Sequence, residues 1–291
     1  MPSPVDLHSH SNASDGELSP AELVQRARQR GVSLLALTDH DTTAGIAAAQ
    51  QAAHAGPTPG LEPIPGHVLA DHLRLIPGVE ISVTWHSQVI HVLGLNINPD
   101  SARLQAGLQG LSVQRELRAQ QIAKQLTQKG VKDAYAGAKA LAVGPLTRTH
   151  FAHYLVQQGL ANNLQTVFKH YLVRGKPGYV AGQWATLNEA LSWIHDAGGQ
   201  AVVAHPARYK MTRSKLKELL AEFKAGGGCG LEVVSGTHSR NDTVQMAELA
   251  QLFGLYSSAG SDYHGPKQFW LHLGAIPPLP KDCEAIWQLF V

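Results

Sequence analysis

Hydrophobic and polar positions along the chain repeat one unit: an amphipathic helix, a glycine, a short apolar strand, then a polar tip. The first copy opens at Ser19-Pro20-Ala21-Glu22, where Ser and Glu three residues apart form a capping box and Pro20 takes the first helical position. Leu23, Val24 and Ala27 make its apolar stripe, and Gly31 closes it. A strand over 33–37 follows and ends in Thr38-Asp39-His40-Asp41. The second copy has a capping box at Thr186-Leu187-Asn188-Glu189, a stop at Gly198-Gly199 and a strand over 201–204 that runs into His205-Pro206. The third is a helix over 242–253, Gly254, a strand over 255–259 and then Ser261-Asp262-Tyr263-His264. Apolar runs at 5–7, 79–83, 89–95 and 231–234 bring the strands to about seven. Strands alternating with helices predict an α/β fold with a mainly parallel sheet. Seven strands instead of eight predict a distorted barrel, with the polar tips gathered at the C-terminal rim where such barrels carry chemistry.

The unit breaks between 99 and 184. Residues 101–129 are rich in Gln, Leu, Arg and Ala and read as helical, as do 151–158 and 164–172. This predicts two parts: a barrel built from 1–98 and 185–291, and a mostly helical insertion over 99–184 that caps the rim. The Pro- and Gly-rich stretch 56–66 is a loop.

Composition narrows the function classes. With 291 residues and 44% hydrophobic residues, the chain has ample material for a core. Charged residues make up only 16% and the formal net charge is +2, which argues against coating DNA or a membrane surface. Any anionic ligand must be held by a local site. The N-terminus carries no basic-then-apolar leader, no run reaches a membrane span, and Cys229 and Cys283 stand far apart. A cytoplasmic protein with free thiols is expected. Oligomeric state is not legible.

Histidine, at 16 residues, is abundant. Asp6-Leu7-His8-Ser9-His10 puts two imidazoles on the same side of an extended segment, with Asp15 on the loop beyond. His40 lies between carboxylates at a strand end. Glu80 and His91 interrupt otherwise apolar strands, and His205, Asp262 and His264 follow two more. Singly, each reads as a hydrogen-bonded core residue; together they form a pattern that chance does not give. Mixed imidazole and carboxylate donors without thiolate suit Mn, Fe, Zn or Mg. Nine donors exceed the positions around one ion, so two or three ions sharing carboxylates are expected. His54, His67, His72, His86, His150, His153, His170, His195 and His272 have no acid partner in a matching context, and His238, after the strand at 231–234, is a candidate to line and support the site.

In order, Asp6-Leu7-His8-Ser9-His10, Asp15-Gly16, Thr38-Asp39-His40-Asp41, Pro77-Gly78-Val79-Glu80, His91, Ala204-His205-Pro206 and Gly260-Ser261-Asp262-Tyr263-His264 resemble the motifs of the PHP family, whose name joins polymerase and histidinol phosphatase. The resemblance implies a distorted (βα)7, amidohydrolase-like barrel with a trinuclear metal site. It places His8, His10, Glu80 and Asp262 on one ion; Asp15, His40 and His264 on a second; and Glu80, His91 and His205 on a third, with Glu80 bridging. The insertion, Arg174-Gly175-Lys176-Pro177-Gly178-Tyr179-Val180 and His205-Pro206-Ala207-Arg208-Tyr209 look like the branch containing nucleoside 3′,5′-bisphosphate phosphatases and 5′-to-3′ exoribonucleases. That branch implies manganese, a small nucleotide substrate or short RNA ends, and release of a 3′-phosphate from adenosine 3′,5′-bisphosphate to leave AMP. The expected nucleophile is a hydroxide bridging two ions. Arg148, Arg174, Lys176 and Arg208 are the candidates to grip a second phosphate, and Tyr135 a candidate to stack on a base. A histidinol-phosphate-type phosphatase and a non-catalytic, metal-stabilised regulatory module are the competing expectations.

Overall fold

Seven strands make one sheet whose neighbours follow chain order. They are β1 (Val5–Asp6), β2 (Leu34–Leu37), β3 (Arg74–Trp85), β4 (Gln88–Leu95), β5 (Gln200–Val203), β6 (Gly230–Ser235) and β7 (Tyr256–Gly260). In this computed structural model, residues 4–268 and 270–290 are described; the N-terminal segment read for a leader lies partly outside that set. The ring closes where β7 returns to β1: Leu7 N donates to Ala259 O at 2.9 Å, Asp262 N to His8 O at 2.8 Å, and His10 N to Tyr263 O at 2.9 Å. A seven-stranded, nearly closed barrel results.

The sheet is not uniformly parallel. β3 and β4 form an antiparallel hairpin, and β4 also pairs antiparallel with β5; the other neighbours run parallel. The hairpin turns at His86-Ser87, both with positive φ (43° and 61°), the conformation a tight primed turn demands of its two central residues. Glu80 and His91 therefore sit inside long strands, pairing with Leu93 and Ser82, and not at strand ends as the other ligand candidates do.

Helices α1 (Pro20–Gln29) and α2 (Ile46–Ala55) cover one flank; α7 (Leu187–Asp196), α8 (Arg213–Ala225) and α9 (Arg240–Phe253) cover the other. The capping boxes at Ser19/Glu22 and Thr186/Glu189 are both formed. The last helix starts two residues before the predicted 242, because Ser239 and Asp242 make a capping box of their own. Helices α2 and α8 lie outside the elements assigned from sequence. The barrel interior is filled by Leu7, Ala36, Ile76, Leu93, Val202 and Ala204 and closed by Ile286 and Phe290 near the C-terminus.

Between β4 and α7 run α3 (Ala102–Gln128), α4 (Ala134–Ala140, unassigned from sequence), α5 (Arg148–Gln157) and α6 (Leu164–Val167), the last continued by a π-helical turn over Phe168–Leu172. The long α3 serves two cores. Leu104, Leu108 and Leu111 pack into the barrel's outer layer with α7, while Ala119, Ile122 and Leu126 join Phe151, Leu155, Val167 and Leu172 in a separate cluster.

Candidate metal centre

Local pairing aims the histidines. Ser9 turns toward β2, donating its hydroxyl to Ala36 O at 2.7 Å, so the flanking His8 and His10 face the barrel mouth. Asp6 accepts from Ser261 N and Gly274 N, each at 2.8 Å, and so ties the start of this segment to the end of β7. His40 bridges to Glu80 as β2 meets β3.

Four donor atoms, His8 Nε2, His10 Nε2, Glu80 Oε2 and Asp262 Oδ1, converge. The two imidazole nitrogens stand 3.4 and 3.3 Å from Glu80 Oε2, and 3.4 and 3.2 Å from Asp262 Oδ1. Donors bound at about 2.0–2.2 Å to one ion stand roughly 3.0–3.5 Å apart in octahedral or tetrahedral arrangement. These spacings are thus those of a coordination shell. His8 Nε2, His10 Nε2 and Glu80 Oε2 are buried and have no hydrogen-bond partner among the described residues, as also holds for Asp15 Oδ1 and His40 Nδ1. Buried polar atoms nearly always find partners, and a bound cation would satisfy this clustered set together.

A second group comprises Asp15, His40 and His264 with His10 alongside: Asp15 Oδ1 is 3.9 Å from His40 Nε2 and 3.5 Å from His264 Nε2. A third lies around the other oxygen of Glu80. Oε1 is 2.8 Å from His91 Nδ1 and 3.0 Å from His205 Nε2, which are 3.3 Å from each other. His40 joins this group through Nδ1, 2.9 Å from Glu80 Oε2. Glu80 thus presents one oxygen to each of two groups. The donor chemistry fits divalent metal ions.

Charge in this volume is concentrated. Burial pushes Glu80 up, but His40, His91 and His8 outweigh it and hold the carboxyl well below its usual range. Asp15 and Asp262 are likewise held well below theirs, the imidazoles overriding burial. Burial, then the neighbouring His264, brings His10 down to about 3. Buried carboxylates that remain ionised beside a neutral imidazole make a cation receptor. Backbone strain marks the same place: Asp41, His205 and Asp262 follow β2, β5 and β7 with φ of 51°, 29° and 58°, a left-handed region that costs a non-glycine residue about 1–3 kcal/mol.

The sequence reading missed Glu232. It sits fully buried in β6, with Oε1 3.0 Å from His8 Nδ1 and Oε2 accepting the backbone N–H of His205. A carboxylate on the far nitrogen of a metal-binding histidine fixes its tautomer and orientation. The available signal was the one that found Glu80, a lone acid in an apolar strand. Asp262 is divided similarly: Oδ1 faces the histidines while Oδ2 pairs with Arg208.

Beside these groups lies a cavity of about 550 Å³ between the barrel mouth and the insertion. Arg115, Arg118, Arg148 and Arg208 line it. Arg115 is committed to Asp41, with its Nε 2.7 Å from Oδ2, and Arg118 Nε donates to Val180 O at 2.9 Å. The Arg115 and Arg118 guanidiniums stand 4.9 and 5.4 Å from the Trp184 ring centre, and that of Arg148 stands 5.8 Å from Phe168. Burial, then Arg148 and Arg115, pulls Arg118 down to about 9. Neither Arg118 nor Arg148 forms an ion pair with a carboxylate among the described residues, so both guanidiniums keep donors for an anion.

Several of the expected residues lie apart from this cavity. Arg174 and Lys176 are exposed on the turn beyond Val173 and do not line the cavity. Tyr135, half-buried, packs against the insertion's own core and donates its hydroxyl to Glu116; it does not line the cavity. His238 is also outside the lining, its Nδ1 3.1 Å from Val233 O. His86 does have acid neighbours, Glu218 at 3.8 Å and Glu222 at 3.7 Å, all exposed. Arg115 and Arg118, read only as part of a polar helix, line the cavity.

The PHP domain matches residues 6–235 of the chain. A 3′,5′-nucleoside bisphosphate phosphatase from Chromobacterium violaceum is 43% identical over 286 residues, 98% of this chain and 95% of that one. The 5′-3′ exoribonuclease Rnm of Escherichia coli is 44% identical over 286 residues, 98% of this chain and 93% of that one. A solved amidohydrolase structure from Chromobacterium violaceum, with bound sulfate and no metal, superimposes with a TM-score of 0.90 at 42% identity, covering 99% of this chain and 95% of that one.

Proposed function

The chain belongs to the PHP domain family, and on that premise we propose that it removes the 3′-phosphate from nucleoside 3′,5′-bisphosphates, converting adenosine 3′,5′-bisphosphate to AMP and phosphate. It is a phosphoric ester hydrolase of the metal-dependent phosphoesterase type. The observation that carries the substrate reading is the pair of guanidiniums, Arg118 and Arg148, which form no ion pair among the described residues, in the cavity that also contains Asp15, His40, His91, His205, Asp262 and His264. A substrate with two phosphates suits such a site: one ester at the metals, one phosphate at the arginines.

His8, His10, Asp15, His40, Glu80, His91, His205, Asp262 and His264 are proposed to hold two to three divalent ions, manganese being the metal this branch favours. When bound, such ions supply Lewis acidity that lowers the pKa of water toward ~7 and draws charge from phosphoryl oxygens. The chain's own groups do the rest. Glu232 holds His8 and the His205 backbone in register. Arg208, already on Asp262, stands at the cavity wall where phosphoryl charge gathers. Arg118 and Arg148 anchor the second phosphate, and the insertion over 99–184 acts as a cap that excludes water from the opposite side. Among the described residues no helix is long and apolar enough to cross a membrane, and the compartment proposed is the cytoplasm.

A second reading has its own support. Val89 and Val173 line the cavity yet are 46% and 39% exposed, which leaves one side open to solvent. A substrate whose 3′-phosphate continues into RNA could enter there, consistent with relatives named as exoribonucleases. Both readings share a nucleotide anchored by its 5′-phosphate. A charge-assisted phosphate contact contributes about 1.5–3 kcal/mol, so kcat/KM should be roughly ten- to a few-hundredfold higher for adenosine 3′,5′-bisphosphate than for 3′-AMP. Short RNAs with a 5′-monophosphate and a 5′-hydroxyl should differ in the same direction. Equal values within each pair would remove the basis for a 5′-phosphate anchor.

A further inference from the structure

One side chain of the insertion hydrogen-bonds a carboxylate of the candidate metal centre. Thr149, the second residue of α5, donates its hydroxyl to Asp15 Oδ2 at 3.0 Å. The other oxygen of that carboxylate, Oδ1, is the one that faces His40 and His264. A carboxylate with one oxygen fixed by a donor has its second oxygen fixed as well, because the group is rigid and planar.

The position of that hydroxyl is set firmly. Thr147 caps α5: its Oγ1 accepts from Thr149 N at 3.2 Å, and its own N–H donates to His150 Nδ1 at 3.1 Å. The first turn of the helix is thereby held. A second contact lies just upstream. A Cβ at Gly144 would fall 2.0 Å from the carbonyl oxygen of Ala13, so only glycine allows the insertion backbone to rest on the loop that carries Asp15. Residues 144–149 of the insertion thus press on residues 13–15 of the barrel at two points, one steric and one polar.

We propose that Thr149 is a positioning residue through which the insertion controls binding of one metal ion, the one assigned to Asp15, His40 and His264. This rests on the metal-ligand reading above. By linkage, occupation of that position also favours the seated insertion, so the wall bearing Arg148, the residue next to Thr149, and the ion it works beside are assembled together.

The test compares full-length wild type, Thr149→Val and Thr149→Ser. Each would be stripped with chelator and titrated with Mn2+, following stoichiometry by elemental analysis and site coupling by electron paramagnetic resonance. Loss of an outer hydrogen bond to a ligand typically weakens metal binding about 10–100-fold. Thr149→Val should lose roughly that factor for one ion, with the remaining ions unchanged and with loss of the spin coupling that involves the weakened position. Thr149→Ser, which restores the hydroxyl, should bind like wild type, and the melting temperatures of the metal-free chains should match. Wild-type affinity for every ion in Thr149→Val overturns the proposal, as does equal weakening of all ions or failure of Ser to rescue. A wild-type chain that takes up no Mn2+ would sink the metal reading itself, a distinct result from normal uptake by both wild type and the Val variant.

Discussion

Replacing Glu80 by Gln should lower turnover by roughly a thousandfold or more, the equivalent of about 4 kcal/mol of lost transition-state stabilisation. The substitution keeps the side-chain shape but removes the charge that faces two groups at once, His8, His10 and Asp262 through Oε2 and His91 and His205 through Oε1. Metal content should fall with activity, by at least one ion per chain. The folded state should survive, because Glu80 is surrounded by imidazoles that lose their protons more readily once the carboxylate is gone. Near-native turnover with full metal content in Glu80→Gln would contradict the role proposed for Glu80 between the two groups.

The second large effect is expected at the arginines. Arg148→Ala and Arg118→Ala should each reduce kcat/KM for adenosine 3′,5′-bisphosphate by roughly ten- to a few-hundredfold. They should leave kcat/KM for 3′-AMP and the metal content nearly unchanged, since neither residue belongs to the three histidine–carboxylate groups. Arg115 is a poorer test despite lining the same cavity. Its removal would leave Asp41 buried without its cation, and Asp41 also holds Ser82 N at 2.6 Å, so stability and binding would change together. Arg174→Ala and Lys176→Ala serve as controls and should behave like wild type. A loss of rate in those exposed variants equal to that in Arg148→Ala would contradict the cavity assignment.

What was legible in the sequence has a physical explanation. Histidines and acids at the tips of apolar strands stand out because water-loving groups are costly in such places unless something binds them. The parallel strands and their capped helices announced themselves by periodicity and by capping boxes at Ser19 and Thr186. The reversal of β4 did not, because its turn uses His86-Ser87 where Asn-Gly or Asp-Gly would have signalled a hairpin. Glu80 and His91 were legible as polar interruptions of apolar strands, but not that an antiparallel hairpin sets them side by side.

The substrate side was less legible because it depends on which face of a helix meets which wall. Arg115 and Arg118 are one turn apart on α3, and only the approach of Trp184 and Asp41 makes them cavity residues. Arg174 and Lys176 flank the right segment, yet Val173 is the residue that turns inward. Tyr135 resembles a stacking platform until α4 brings it against Glu116. Glu232 could have been found by the reasoning applied to Glu80, since a lone acid buried in the apolar run 231–234 needs polar partners.

The most direct measurement is phosphate release from adenosine 3′,5′-bisphosphate by the purified chain, first as isolated, then after removal of metals by chelation, then after adding back Mn2+. Release confined to one phosphate, with AMP as the nucleotide product, loss of turnover on chelation and recovery with Mn2+ is the predicted result. Turnover that persists in fully chelated protein, or release of the 5′-phosphate in place of the 3′-phosphate, would contradict it.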